Sequence, residues 1–550
     1  MKKIMTLTAF SLLIAAGVGA QTVYDAANIT SKDLNGTARF VGMGGAMGAL
    51  GGDISTIGSN PAGIGIYRSN DIMTTFGLSA YGTESVFSGN KFNSDKMRGS
   101  FDNIGVVFSS KIGNQTSLRY VNFGFNYKRA KSFNRNMEMG GNIGAYSQSF
   151  QMAAQADGID KPMWDNGNRY TNRDIGWLSA LGYDGYLINP QITTDKTDFP
   201  YLDKDGKPIL DKDGNPQYVN YKFYQSIAGN NTDLNYRSEE RGGIDQYDFN
   251  ISFNLNDRVY LGATVGAYSV NYNKYTYHKE MFGDDQGYNL QSWNKINGSG
   301  FDIKLGMIIR PFEFSPLRIG LAVHTPTFYS LELATNARIE TDVWDQGAGK
   351  ILPHDIDTYK ELNNKDMIRE FNLRTPWTYN VSLGYTVGKS LALGAEYEYQ
   401  NYSKSKFLDP QGYADTFEYE NSTMPMLKGV NTFRIGAEYK VIPQFALRAG
   451  YNHSSAAFHS NAFKDLPITS IQTDTDFANS QSKNNYTLGV GYRGSLFYAD
   501  LAYKYATYKE EFFPFVNTYA DNNQTVVETP NATIVTNTRS QVLLTLGIRF

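Results

Sequence analysis

Apolar and polar residues alternate with a period of two along most of the chain, and the last segment shows it most cleanly. Val542, Leu544, Leu546, Ile548 and Phe550 fall on one face, with Leu543, Thr545, Gly547 and Arg549 on the other. The same reading predicts strands over 70–82, 101–112, 117–130, 244–256, 258–277, 298–311 and 315–334. A second half follows over 368–387, 389–404, 430–441, 443–456, 484–494, 495–511 and 538–550. Each is long enough for the roughly 9 to 11 residues with which a tilted strand crosses a bilayer.

The connections alternate as well. Short ones at 112–116, Asn256-Asp257, 311–315, Gly388, Ile442 and Gly494 take turns with long ones at 83–100, 131–243, 278–297, 335–367, 405–429, 457–483 and 512–537. Barrels of the outer membrane have this asymmetry, with short turns on one side and long loops on the other. The expected fold is all-β: a 14-stranded antiparallel transmembrane barrel, with both of its ends on the periplasmic side.

Strand parity assigns a wet and a lipid face. With Phe433, Ile435 and Tyr439 outside, Arg434, Glu438 and Lys440 point inward, as do Asp302, Lys304, Arg318, His324, Glu396, Glu398, Arg448, Arg493, Asp500 and Lys504. A charge on the lipid side would cost roughly 2 to 4 kcal/mol for Arg or Lys at mid-bilayer. Ion pairs filling the lumen are the simplest use of these groups. Arg318, Arg434 and Arg448 are also candidates to meet a ligand carboxylate.

Composition agrees with a membrane barrel. The chain has 39 Tyr and 33 Phe but only 19% charged residues, and tyrosine suits a membrane interface because its ring is apolar and its hydroxyl wet. A mean hydropathy of −0.42 fits strands that show lipid only every second residue. The 51 basic and 54 acidic residues create no field that points to nucleic acid. Lys2 and Lys3 precede an apolar run that ends in Val18-Gly19-Ala20, the pattern of a cleaved export signal over 1–20. With no cysteine there is neither a lipid attachment site nor a disulfide framework.

Between the signal and the first strand lies RFVGMGGAMGALGGDISTIGSNPAGIG, Arg39–Gly65. So little bulk cannot build its own core, and such a segment has to fit inside something else. The spacing of Arg39, Met43-Gly44-Gly45-Ala46, Ala49-Leu50, Asp53, Ser55 and Asn60-Pro61-Ala62-Gly63 resembles the N-terminal hatch of the FadL/TodX family of outer-membrane transporters. Segments 300–326, 375–403 and 433–454 are similar to that family's barrel hairpins. The resemblance implies a hatch over 21–69 plugging a barrel over 70–550, and diffusive uptake of hydrophobic compounds, long-chain fatty acids first among them. It also implies a gate built from Gly44, Gly45, Asp53, Asn60, Pro61, Ala62 and Gly63, and a lateral opening at a kink in the third strand, for which Gly124 is the available glycine. The expected partners are a hydrophobic ligand, outer-membrane lipid and, through the terminal Phe550, the barrel-assembly machinery, with the protein itself a monomer.

Other chemistry is poorly represented. Among five histidines, His324, His453 and His459 lie near strands, and Ser454 and Ser455 beside His453 make no recognisable Ser-His-acid spacing. No enzyme, metal or cofactor is expected. A surface-binding or adhesive barrel, with haem held by His324 or His453, is the alternative to transport. The insertion over 131–243 carries Leu202-Asp203-Lys204-Asp205-Gly206 and Leu210-Asp211-Lys212-Asp213-Gly214. These read as hairpin tips of a surface lid, since a calcium loop would need further ligands and a distal Glu.

Overall fold

The computed structural model describes residues 7–8, 20–193, 195, 198–202, 206–345, 347–521 and 524–550. The export signal read at 1–20 therefore lies outside the described residues except for Leu7, Thr8 and Ala20, and so do Asp203, Lys204 and Asp205 of the first hairpin tip.

Fourteen antiparallel strands close into a barrel. They are β1 (Asp71–Phe87), β2 (Asn90–Lys111), β3 (Leu118–Ser132, continued by Arg135–Gly144), β4 (Thr232–Leu255), β5 (Val259–Gly283), β6 (Gln286–Ile309) and β7 (Arg318–His324 and Phe328–Asp345). Then come β8 (Met367–Arg374 and Thr378–Val387), β9 (Leu391–Asn401), β10 (Gly429–Ile442), β11 (Phe445–Ser454), β12 (Phe477–Arg493), β13 (Phe497–Phe513) and β14 (Thr533–Arg549). Pairing of β14 with β1, from Asp71 with Arg549 to Val86 with Ile534, closes the wall. Among the described residues no helix is long and apolar enough to cross a membrane, and the crossing is made by strands.

Parity holds. Phe433, Ile435, Tyr439, Val542, Leu544, Leu546 and Ile548 are exposed on the outside, whereas Leu543, Thr545, Glu438 and Arg448 are buried within. A closed wall with this outer belt has no unpaired edge to hide from lipid and is the architecture of an outer-membrane barrel.

The wall is taller than the alternation predicts. Segments 83–100 and 278–297, expected as loops, continue the strands to tight turns at Ser88-Gly89 and Asp284-Asp285. Their polar composition hides them from a reading based on hydrophobic period, because above the bilayer neither face needs to be apolar. Two expected strands are also broken. β7 is interrupted at Thr325–Thr327 and β8 at Thr375–Trp377, where Pro326 and Pro376 cannot donate to the ladder. The threonines repair the gap: Ile303 N donates to Thr325 Oγ1 (3.0 Å) and Thr327 N to Thr375 Oγ1 (2.8 Å).

Both mouths of the barrel are filled. On the outer side, α1 (Val23–Thr30), α3 (Gln148–Ala156) and α4 (Trp177–Asp184) form one apolar core with the inner faces of β5 to β8 and with Phe407, Phe458 and Ile471. Part of the long insertion is thus a lid in the mouth, and the remainder projects as a small sheet over Ile188–Thr193, Phe199–Pro200 and Tyr218–Ser226. The isolated bridge of Leu210 with Pro216 closes the second Asp-Gly segment as a hairpin tip, and Leu202 bridges to Pro208. The small-residue segment fills the inner end.

Candidate functional site: hatch, seam and luminal cavity

Short polar residues start each turn of the hatch. Asp25 accepts from Thr22 N (2.8 Å) at α1, Phe40 N donates to Thr37 Oγ1 (3.1 Å) at α2 (Ala38–Gly42), and Ser55 N donates to Asp53 Oδ1 (3.0 Å) before the 3-10 turn Ile54–Gly58. Asn60 opens the next turn, Pro61–Ile66. Its backbone is extended (φ −134°, ψ 102°), as a residue before proline prefers, and its Oδ1 accepts from Ala62 N (3.2 Å) while Nδ2 donates to Met307 O (3.2 Å). Gly44 and Gly45 take φ of +62° and +80°, a conformation that costs other residues energy.

The wall makes room for this segment by omitting side chains. Gly384 pairs with Gly394, Gly394 with Gly436 and Gly436 with Gly450, so one row of glycines crosses β8 to β11. A Cβ on Gly394 would come within 2.0 Å of Ala46 O, one on Gly436 within 2.2 Å of Met43 O, and one on Gly450 within 2.2 Å of Gly44 N. Gly262 and Gly306 receive Pro61 and Asn60 in the same way. Gly124 faces inward over Ile57 and Ile64.

Charges lock the contact. Arg39 forms a two-point pair with Glu438 (2.8 and 2.9 Å), Glu438 also accepts from Arg448 (2.6 Å), and Arg448 reaches Asp500 (2.7 Å). Arg434 pairs with Glu396 (2.6 Å) and Glu398 (3.2 Å). Arg318 donates to Leu50 O (2.7 Å), and His324 Nε2 to Ser59 O (2.9 Å). His453 Nδ1 meets Asn484 Oδ1 (2.9 Å). All three arginines read from the sequence therefore have partners, and only Arg434 among them lines the cavity described next.

Between α1 and the turns of the hatch below it lies a cavity of about 450 Å³. Its lining mixes apolar surface with many charged groups, among them Lys32, Asp33, Lys128, Lys131, Arg434 and Arg539. It also includes Tyr81, Gly82, Thr83 and 131–135, which brings it against a discontinuity in the wall. β2 and β3 pair from Asn103 with Lys128 down to Lys111 with Tyr120. Among the described residues no ladder joins 90–102 to 129–144. Pairing through Gly124 is regular, and the register of β3 shifts at Arg129/Lys131. Beyond that shift β3 leans inward, burying Met137 and Met139 against Phe87, Phe512 and Phe515.

One hatch residue spans this seam. Asn35 Nδ2 donates to Asp102 Oδ1 (2.7 Å) on β2 and to Arg129 O (3.0 Å) on β3. Asp102 is the bulged residue of β2, left over where the register shifts between Thr75 and Phe76, and it is fully buried. The hydrophobic period gave no hint of Asn35, Asp102 or Lys32. Lys128 was accessible to parity, since it shares the inward face of Asn122, Gly124 and Asn126.

The family model described as BamG matches residues 216–501, more than half of the chain. The chain belongs to the BamG family. The matched span of this BamG-family barrel runs from the end of the insertion to β13. Comparison with curated proteins gives no match. Among solved structures the chain is similar to a FadL homologue of Pseudomonas aeruginosa at 12% identity and a TM-score of 0.46, covering 94% of this chain and 99% of that one. It is also similar to the toluene transporter TodX of P. putida (11%, TM-score 0.43, 94% and 99%) and the toluene transporter TbuX of Ralstonia pickettii (12%, TM-score 0.44, 94% and 99%).

Proposed function

We propose that this barrel passes hydrophobic molecules across the outer membrane, with long-chain fatty acids as the leading cargo. The observation that carries the reading is the seam between β2 and β3, which borders the luminal cavity and is bridged by a single hatch side chain. A molecule in the cavity would leave sideways at the foot of the seam, at the level of Asp102 and Arg129, once Asn35 lets go, while Asn90 Nδ2 and Gly140 O (3.1 Å) hold the seam's upper end. Burying about 16 methylenes at roughly 0.8 kcal/mol each would offer about 13 kcal/mol before losses, so a single apolar tunnel would trap its cargo. A short cavity of mixed apolar and charged lining with a lateral exit avoids that. In this reading Gly44, Gly45, Asp53 and Asn60-Pro61-Ala62-Gly63 form the gate at the inner end, Arg434 meets the carboxylate, Arg318 and Arg448 hold hatch and wall, and Phe550 serves the assembly machinery of a monomeric barrel.

Uptake of labelled oleate by cells with and without the gene tests the proposal, and equal rates would overturn it. Asn35→Ala should raise uptake several-fold by freeing the seam, and Asn60→Ala with Pro61→Ala should change it several-fold if the inner turn gates, with barrel assembly intact in both.

One observation favours a second reading, a surface-binding barrel. The projecting sheet of the insertion leaves Ile192, Phe199 and Phe223 exposed, an apolar surface that transport does not need.

A further inference from the structure

The lining of the luminal cavity carries more cations than carboxylates, and some of those cations are answered from behind the lining, as Arg434 is by Glu396. Ten cationic side chains line the cavity against seven carboxylates. Asp33 alone accepts from both Lys483 (2.7 Å) and Arg539 (3.1 Å). Lys131 is held by the neutral oxygens of Asn28 and Ser31, and Lys504 by the Leu34 carbonyl (2.6 Å).

Lys32 and Lys128 go further, since neither makes a hydrogen bond or an ion pair among the described residues. The Lys32 ammonium stands 5.4 Å from the Tyr268 ring centre. That of Lys128 lies over the hatch at Gly58, where a Cβ would come within 2.7 Å of it. The nearest carboxylates are engaged elsewhere: Asp248 and Asp302 both bind Lys304 (2.9 and 2.7 Å), and Glu398 binds Arg434 (3.2 Å). Unpaired ammonium groups in an enclosed lumen are costly, and a surplus of one sign between low-dielectric walls concentrates counter-ions.

We propose that the cavity is a binding site for a phosphate-class dianion, with Lys32 and Lys128 as its two free anchors. A carboxylate carries one charge and would answer only one of the two free lysines. A phosphate or phosphomonoester carries close to two and offers three acceptor oxygens to lysines that act as movable point charges. The cavity is larger than a bare oxyanion needs, so the anion is either free phosphate or the phosphate end of a lipid-like molecule. The site does not depend on transport, because a binding barrel would hold the same ion.

The full-length protein in neutral detergent, at fixed ionic strength in chloride, should be titrated calorimetrically with inorganic phosphate, dodecyl phosphate and dodecanoate. Saturable binding of a phosphate, about tenfold or more tighter than dodecanoate, is expected. Binding of both phosphates identifies the free ion as sufficient, and binding of dodecyl phosphate alone identifies a headgroup. Lys32→Gln with Lys128→Gln should abolish the signal, Lys32→Arg with Lys128→Arg should keep it, and Lys279→Gln, at an exposed position, should leave it unchanged. The Arg pair also guards against a folding defect. Equal binding of dodecanoate and dodecyl phosphate, or wild-type binding by the double Gln variant, would overturn the proposal.

Discussion

A missing Cβ is the smallest feature on which this molecule depends. The atoms that a new methyl group would strike at Gly394 and Gly436 are the backbone oxygens of Ala46 and Met43, and neither can rotate away as a side-chain tip could. Gly394→Ala and Gly436→Ala should each unseat the hatch at a cost of about 1 to 3 kcal/mol. A lower midpoint of heat-modifiable migration and increased entry of a hydrophilic dye would register it. Gly99 on β2 has open space around it, and Gly99→Ala should behave as wild type. If all three variants were alike, the hatch would not be seated on these glycines. The arginines act at the same scale, with Arg39, Glu438, Arg448 and Asp500 linked so that each buried charge faces an opposite one.

At the scale of elements, the connection between β9 and β10 is a cap with its own titration. Its short helix Glu418–Ser422 buries Glu420, which is only 4% exposed. Burial pushes the Glu420 carboxyl from its ordinary 4.5 up to about 7. The folded cap then holds the proton more tightly than the unfolded segment does. Its stability is full below pH 4.5 and declines as pH rises to about 7, by roughly 3 kcal/mol at most. Proteolysis within 405–427 should accelerate across that window, and Glu420→Gln should make the rate independent of pH. An accelerating rate in the Gln variant would assign the effect to another group. The lid helices show a different use of an element: their apolar faces complete a core that the wall supplies from its inner side.

For the whole molecule, the barrel is closed by its strand register, while the hatch and lid occupy its two ends. Replacing Tyr146–Ala228 by a short flexible link removes the lid and the projecting sheet but no barrel strand. The variant should still migrate as a heat-modifiable barrel and should admit larger solutes through its outer mouth. Retained oleate uptake would support transport, and loss of surface binding with unchanged uptake would assign the projecting sheet its own role. A variant that no longer assembles would instead place the lid core among the determinants of folding.

Strand number, parity and the plugged lumen were legible in the sequence because each depends on a local repeat. Lipid on one side and water on the other impose a period of two, and a run of small residues can only fill space provided by other segments. The partners of Arg434 and Arg448, the row of glycines meeting the hatch, and the Asn35 bridge across the seam depend on register between strands far apart in the chain. That register is set by closure of the barrel. The height of the wall above the bilayer was likewise hidden, since strands there need no apolar face. The lack of an ion-pair partner at Lys32 and Lys128 among the described residues is tertiary in the same sense. A chain with nearly balanced charge over its length can still gather unpaired lysines in one cavity, because folding decides which carboxylates come close enough to answer them.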